Sequence, residues 1–521
     1  MHFNLDSNKT KFVVVGGGTA GWLTALQLRF SYPDINITLI ESKDIGILGA
    51  GEGTVPQVLD VLNNVGVDMT DLIKNAGATL KSAVKFTNWN GRGKNDVFFS
   101  SFLSSRAVDF VDKTNLDYSL VPLMVIDQIA KGEPTSDVIF GAQTCLKNKV
   151  KFYLNTNSRN KFGPISHFNN IGDHAVHFDA VKLAAHLKKI GLTRNINLID
   201  GIVKDIINDK DGYITSFILD DGNKVECNFA FDCTGFKRLI IGNHYKAKWR
   251  SFQENLPVNR AIPFFLPLDK LIPPYTEAIA MKYGWMWKIP TQERYGCGYV
   301  FDSRLTTEED AKQEINDLFG EVNLPRVFSF EPGCYETPWV KNCIAVGLSS
   351  GFAEPLEATN IHISVLSVLT FLTFNKGAVE RDESVIKRFN ESIYKFNIDT
   401  MNFLQFHYLG KRNDTVFWKD FATRNKIGNI VQDLYDNDKD VMYMLSHHFM
   451  TSLYPAALWY EVGSGLRFFN REEALTYFNS LNTGYRRPRY QAALKELKEK
   501  QNNIIDTLIE HTEFLNYVKN H

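Results

Sequence analysis

The chain has 521 residues, of which 44% are hydrophobic and 22% charged. That is the balance of a folded globular protein with room for roughly two to four domains. The formal net charge of -1 gives no electrostatic reason to expect nucleic acid or a membrane as partner. Six cysteines, at 145, 227, 233, 297, 334 and 343, form no CxxC pair, so neither a zinc site nor a disulfide framework is expected. The first residues lack the basic and apolar regions of a signal peptide, and no apolar run is long enough for a bilayer; the cytoplasm is the expected compartment.

In chain order, residues 11–16 predict a strand, 19–31 a helix and 35–41 a second strand, together a βαβ unit opening a doubly wound sheet. Glycines at 46–53 mark a loop. Residues 174–190 read as a helix. Strand-rich stretches follow at 195–219 and 224–233, joined by the turn Asp220-Asp221-Gly222-Asn223. Further strands are expected near 261–266, 284–289, 296–301 and 343–346. From about residue 360 the pattern turns helical, over 361–375, 380–409 and a charged tail at 489–517. In that tail Leu494, Leu497, Ile504 and Leu508 form one stripe, expected to pack on the chain's own domain.

Gly16, Gly18 and Gly21 form G-x-G-x-x-G between strand and helix. The spacing suits a tight turn, close backbone approach to pyrophosphate, and helix–strand packing. Thr19 and Ala20 lie within it, where free helix N–H groups meet phosphate. Glu41 follows Gly21 by 20 residues, where a carboxylate accepts hydrogen bonds from ribose hydroxyls. Asp232-Cys233-Thr234-Gly235 supplies a second small-residue turn after a strand. This second turn resembles the D-C-[ST]-G turn of FAD-binding oxygenases, and the two turns in this order imply FAD rather than NAD; no second fingerprint for a nicotinamide is found.

Two tryptophans, Trp285 and Trp287, precede Ile289-Pro290 in a W-x-W-x-I-P pattern. Further blocks accompany it: Gly49-Ala50-Gly51-Glu52-Gly53-Thr54-Val55-Pro56, Leu80-Lys81-Ser82-Ala83-Val84-Lys85-Phe86-Thr87-Asn88-Trp89, His177-Phe178-Asp179-Ala180, Gly347-Leu348-Ser349-Ser350-Gly351, Glu354-Pro355-Leu356-Glu357-Ala358-Thr359, and Arg412-Asn413-Asp414-Thr415-Val416-Phe417-Trp418. In order, from about residue 11 to 418, these resemble the flavin-dependent tryptophan halogenases. The last hundred residues show no matching block.

The resemblance implies an α/β, FAD-binding Rossmann-like flavin monooxygenase fold. Residues 1–360 would form the FAD-binding and halide-oxidising domain, with a substrate-side insertion near 95–165, and 361–521 a mostly helical substrate-side region. It implies that reduced FAD, supplied by a separate flavin reductase, O₂ and halide generate hypohalous acid, which halogenates a small electron-rich aromatic of indole or phenol type. Lys81 matches the family's catalytic lysine. Burial would favour its neutral amine, whereas Lys85 exemplifies the ordinary surface lysine. Glu357 matches the catalytic glutamate, with Glu354 the competitor, and Glu-Pro-Leu-Glu reads equally as a capped helix start. Gly51, Glu52 and Gly347 fall in cofactor blocks. Thr359 and Asn360 fall at the halide wall, Phe102 at a stacking position, and Trp285 and Trp287 at a barrier between flavin and substrate.

Some positions depart from the family pattern. Glu357-Ala358-Thr359-Asn360 stands where E-S-T-G is usual, which opens the choice among chloride, bromide and iodide. The tyrosine- and glutamate-rich clamp for free tryptophan is not recognised between 430 and 465. There, the adjacent His447 and His448 point apart and imply no metal. A flavin-dependent aromatic hydroxylase and a catalytically silent flavin-binding protein stay open as alternatives, as does a homo-oligomer.

Overall fold

The computed structural model describes residues 10–43, 51–102, 120–154, 164–374, 381–419, 421–441, 443, 453–454, 456–480 and 486–521. Gly49 and Ala50, His447 and His448, and the stretches 103–119 and 155–163 of the expected insertion lie outside them. Two interleaved compact units emerge, Met1–Gly77 with Phe178–Gln253 and Glu331–Ile398, and Ala78–His177 with Glu254–Phe330 and Asp399–His521. The transition near residue 360 is one of secondary structure: Gly351–Phe352 is the last described strand, and helices follow.

The first unit is built on a six-stranded sheet ordered 197–200, 36–41, 11–15, 229–232, 343–345, 339–340. All neighbours are parallel except the last pair. The strand Lys11–Val15 is buried from Phe12 onward, as a parallel strand covered on both faces must be. Helix Thr19–Ser31 packs against helix Ala180–Thr193 and helix Thr359–Phe374. With the turn before it, Leu356–Phe374 is long and apolar enough to span a bilayer by composition, which the sequence reading did not expect. Its Phe371 is instead fully buried among Phe12, Phe229, Phe231 and Trp339, which makes it a core helix of this unit. The expected hairpin at Asp220–Asn223 joins the antiparallel strands Ile214–Leu219 and Lys224–Glu226.

The second unit carries a seven-stranded sheet ordered 328–329, 260–266, 295–301, 284–290, 275–280, 83–87, 97–101, antiparallel except where Tyr275–Ala280 meets Ala83–Thr87. Met286, Tyr299 and Phe301 turn one face toward Ala311 and Ile315 of helix Glu308–Phe319. By strand alternation Trp285 and Trp287 occupy the other face.

Two expectations need correction. Residues 174–190 are not one helix. Ala175–Phe178 is a strand paired with Thr79–Lys81, and the helix Ala180–Thr193 starts after Asp179, whose carboxylate accepts the N–H groups of Val181 and Lys182. His174 through Phe178 are all buried, a two-sided burial that strand pairing satisfies. The charged tail is two helices, Arg486–Thr507 and His511–Asn520, the second capped by Glu510. From its stripe, Ile504 and Leu508 do pack at home, with Ile505, against Phe140, Tyr153 and Ile171.

Candidate active site

In the first unit three loops leave the carboxyl ends of neighbouring parallel strands, where open α/β sheets bind ligands. They are the Gly16–Gly21 turn, the Asp232–Gly235 turn and Gly347–Ser349. The first two are locked together: the Cys233 N–H donates to the Val15 carbonyl at 2.9 Å. Gly16 has φ +120°, and a Cβ there would collide with the Cys233 carbonyl, so only glycine fits. Gly18 meets nothing within 4 Å of an added Cβ. It precedes helix Thr19–Ser31, whose N-cap has no side-chain hydrogen bond. The helix therefore presents free N–H groups from Thr19 and Ala20 beside an open backbone, as a pyrophosphate requires. Ser349 Oγ donates to the Gly235 carbonyl at 3.2 Å, joining the third loop to the second. These residues fit a dinucleotide.

Glu41 lies over this turn, its carboxylate paired with Lys188 and close to Gly17. Glu52 is held in surroundings that push its carboxyl up to about 7, through loss of water and then through the Asp179 charge. One supporting residue, Lys188, escaped the sequence reading, and Asp232 entered it without a role. Lys188 sits on a helix with no motif around it. Asp232 is fully buried and accepts Thr234 N and Oγ with one oxygen and the N–H groups of Ile240 and Ile241 with the other, at 2.7–3.1 Å. The D-C-T-G turn already contained it, and its role is to hold the turn's shape.

Also in the first unit, Glu357 is 9% exposed and sits at φ 63°, ψ 7°, with Ala358 next at φ 55°. Two successive non-glycine residues in the left-handed region are strained by about 1–3 kcal/mol each. The chain thus enters helix Thr359–Phe374 through a strained bend, not through the capped start considered from the sequence. Thr359 is buried and Asn360 half-buried in the first turn of that helix. Glu354 is buried as well.

The second unit holds Lys81, Phe102, Trp285 and Trp287. Lys81 is 1% exposed on the strand Thr79–Lys81, and its Nζ lies 5.4 Å from the centre of the Phe102 ring. Lys85 is not the ordinary surface lysine expected: it is half-buried on the strand Ala83–Thr87 and pairs with Glu277 at 2.8 Å. His177, opposite Thr79, hydrogen-bonds Thr79 and Thr276 hydroxyls at 3.0 and 2.9 Å. Its pKa is driven well below the ordinary value by burial and then by the Lys81 charge. Trp285 and Trp287 are buried, with ring centres 6.3 Å apart. Neither indole N–H has a hydrogen-bond partner among the described residues. A Cβ on Gly298 would enter the Trp287 ring, so that strand leaves the indole its space. Glu461 accepts the Ser101 N–H at 2.5 Å and thereby fixes the strand that leads into Phe102.

The family model for tryptophan halogenase matches residues 11–475. The chain belongs to the tryptophan halogenase family. It is a flavin-dependent halogenase, with the Rossmann-like α/β fold of that family, using FAD reduced by a separate reductase and a halide ion on an aromatic substrate. Among relatives, a tryptophan 6-halogenase of Streptomyces toxytricini is 30% identical over 440 residues, 80% of this chain and 82% of its own. A tryptophan 7-halogenase of Lentzea aerocolonigenes is 29% identical over 430 residues, 78% of each chain. Among solved structures, a tryptophan C-6 flavin-dependent halogenase (chlorinase) from taromycin biosynthesis superposes with a TM-score of 0.82 at 26% identity, covering 98% of this halogenase and all of that chain.

Proposed function

We propose that Lys81 and Glu357 are the catalytic residues of this halogenase and that its substrate is an electron-rich indole or phenol other than free tryptophan. Reduced FAD, when bound, would give O₂ two electrons, and halide would give it two more to become hypohalous acid. The protein's own groups do the rest. Gly16, Gly18, Thr19, Ala20 and Gly21 hold the pyrophosphate through backbone, with Gly51 and Gly347 as further close approaches. Glu41 takes ribose hydroxyls, and Glu52, its carboxyl pushed up to about 7, exchanges between donor and acceptor forms near neutral pH. The N–H groups opening the helix at Thr359 and Asn360 attract halide. Lys81 captures hypohalous acid with its buried amine. Glu357 accepts the ring proton released by substitution. Trp285 and Trp287 keep substrate from the flavin, and Phe102 stacks on the substrate ring.

The single observation that carries this reading is Lys81, an amine with 1% exposure beside an aromatic ring, in a chain of this family. Ala358 and Asn360, where the family has serine and glycine, support a widened choice of halide. Six free, buried cysteines support a reducing compartment such as the cytoplasm. The test supplies reduced FAD, O₂, each of chloride, bromide and iodide, and a panel of indoles and phenols including tryptophan. Halide-dependent product is expected, with Lys81→Ala and Glu357→Gln each lowering it on the order of 10²–10⁴-fold. Oxygen insertion without halide would instead favour the hydroxylase. Flavin binding with no product would favour a silent protein. A Lys81→Ala enzyme as active as the parent would remove Lys81 from its role.

A further inference from the structure

The family model ends at residue 475, yet the last helix reaches the catalytic strand. His511 is fully buried, and its Nε2 accepts the Leu80 N–H at 3.0 Å, on the residue directly before Lys81. Its Nδ1–H donates to the Ile272 carbonyl at 2.8 Å, which fixes the tautomer that leaves Nε2 as acceptor. Burial keeps the ring neutral, the only form that can accept this bond. Leu80 is itself fully buried, so without His511 its N–H would have no water to turn to.

The helix that carries His511 is fastened tightly. Ile509 exchanges backbone bonds with Val150 and Phe152, and the His511 N–H donates to the Asn148 carbonyl. Thr512 Oγ accepts the Ile272 N–H at 3.0 Å. Phe514 stacks on Phe152, with ring centres 4.7 Å apart. The same segment steadies the other neighbour of the amine: Lys151, between the tied residues Val150 and Phe152, donates from Nζ to the Phe102 carbonyl at 3.3 Å. The backbone of Leu80, which precedes Lys81, and that of Phe102, whose ring lies 5.4 Å from the amine, are thus both anchored through residues 148–152 and 509–514.

We propose that His511 is a positioning residue for halogenation: it sets the place of the Lys81 amine through the Leu80 N–H, and the C-terminal helix is a working part of the lysine site. This rests on the reading of Lys81 as catalytic. An amine displaced from its place no longer intercepts hypohalous acid, so oxidant escapes while its formation continues. A merely structural role would instead lower oxidant formation and product together.

The experiment compares His511→Gln with His511→Asn, using bromide and the best-converted member of the indole and phenol panel. Gln places an acceptor near the Nε2 position and keeps the Leu80 bond. Asn reaches only the Nδ1 position, keeps the Ile272 bond and loses Leu80. A diketone trap in the medium reads escaped hypohalous acid beside product. Asn is expected to lower product about tenfold with total oxidant within about twofold, and Gln to stay within about threefold of the parent. In a Lys81→Ala background, the Asn substitution is expected to change product by less than about twofold, because both changes break one function. Equal behaviour of Gln and Asn, a joint fall of oxidant and product, or effects that multiply in that background would each overturn the role of His511. Full activity of Lys81→Ala alone would refute the reading of Lys81 instead, and a panel without any product would refute both.

Discussion

The flavin turns and the lysine corner do their work by opposite means. Around Gly16 the function lies in what is missing: no Cβ, no side-chain cap, and backbone N–H groups left open by the start of a helix. Around Lys81 it lies in what has been buried: an amine, three histidines and a second lysine, all removed from water. The first region is set by steric exclusion, which a single atom can violate. The second is set by electrostatics, where each polar group needs a partner to offset its lost hydration. Damage should therefore read out as shape in one and as protonation in the other.

The largest expected effect is on the steric side. Gly16→Ala adds a methyl group against the Cys233 backbone at φ +120°, and neither chain can retreat, because Cys233 N–H is bonded to the Val15 carbonyl. The variant should lose FAD binding and about 3 kcal/mol or more of stability. Fluorescence titration with FAD and a urea melt measure the two. A variant that binds FAD normally would break the contrast, since the turn would then tolerate exactly the atom it is shaped to exclude.

The two regions also differed in how plainly the sequence showed them. The glycine turn is local, and its spacing carries its own reason, so Gly16 to Gly21 and Glu41 were legible from eleven to forty-one. The parallel strands announced themselves as apolar runs. The strand Ala175–Phe178 did not, because it runs into Asp179 and a helix without a breaker, and its pairing partner lies near residue 80. His511 was invisible for a stronger form of the same reason: the group it serves is 431 residues away. The left-handed bend at Glu357 and Ala358 also left no mark, since neither residue favours positive φ and only the packed fold imposes it. Lys81 was found through its block, while the burial that makes sense of it belongs to the folded chain.

Protonation should separate the regions next. Glu52, in the first unit, has its carboxyl raised to about 7, so the folded chain holds a proton that the unfolded chain gives up near pH 4.5. Its contribution to stability is therefore lost as pH rises from about 4.5 to 7. His511, in the second, is lowered to about 4, so the unfolded chain takes a proton first and stability is lost as pH falls from about 6.5 to 4. In flavin-free protein, Glu52→Gln should gain on the parent toward alkaline pH and His511→Gln toward acid. Each swing should be about 3 kcal/mol in unfolding free energy from urea melts followed from pH 4 to 8. Slopes of the same sign would show that the two regions do not differ as argued.

The smallest effect tests whether strain belongs to the electrostatic class or the steric one. Glu357 combines both: a carboxylate proposed to take the ring proton and a left-handed backbone that its side chain disfavours. Glu357→Gly and Glu357→Ala both delete the carboxylate, so both should lose halogenation alike. They differ only in that glycine adopts φ 63° without a Cβ penalty, whereas alanine keeps it. The glycine variant should therefore be the more stable by about 1 kcal/mol in thermal or urea unfolding, in spite of glycine's greater freedom when unfolded. If alanine is equal or better, the bend is relaxed rather than strained, and Glu357 is held by its contacts alone. If glycine is better, the chain tolerates a local cost at the one carboxylate it assigns to the ring proton, and the rest of helix Thr359–Phe374, with Phe371 locked in the aromatic core, supplies the packing that offsets it.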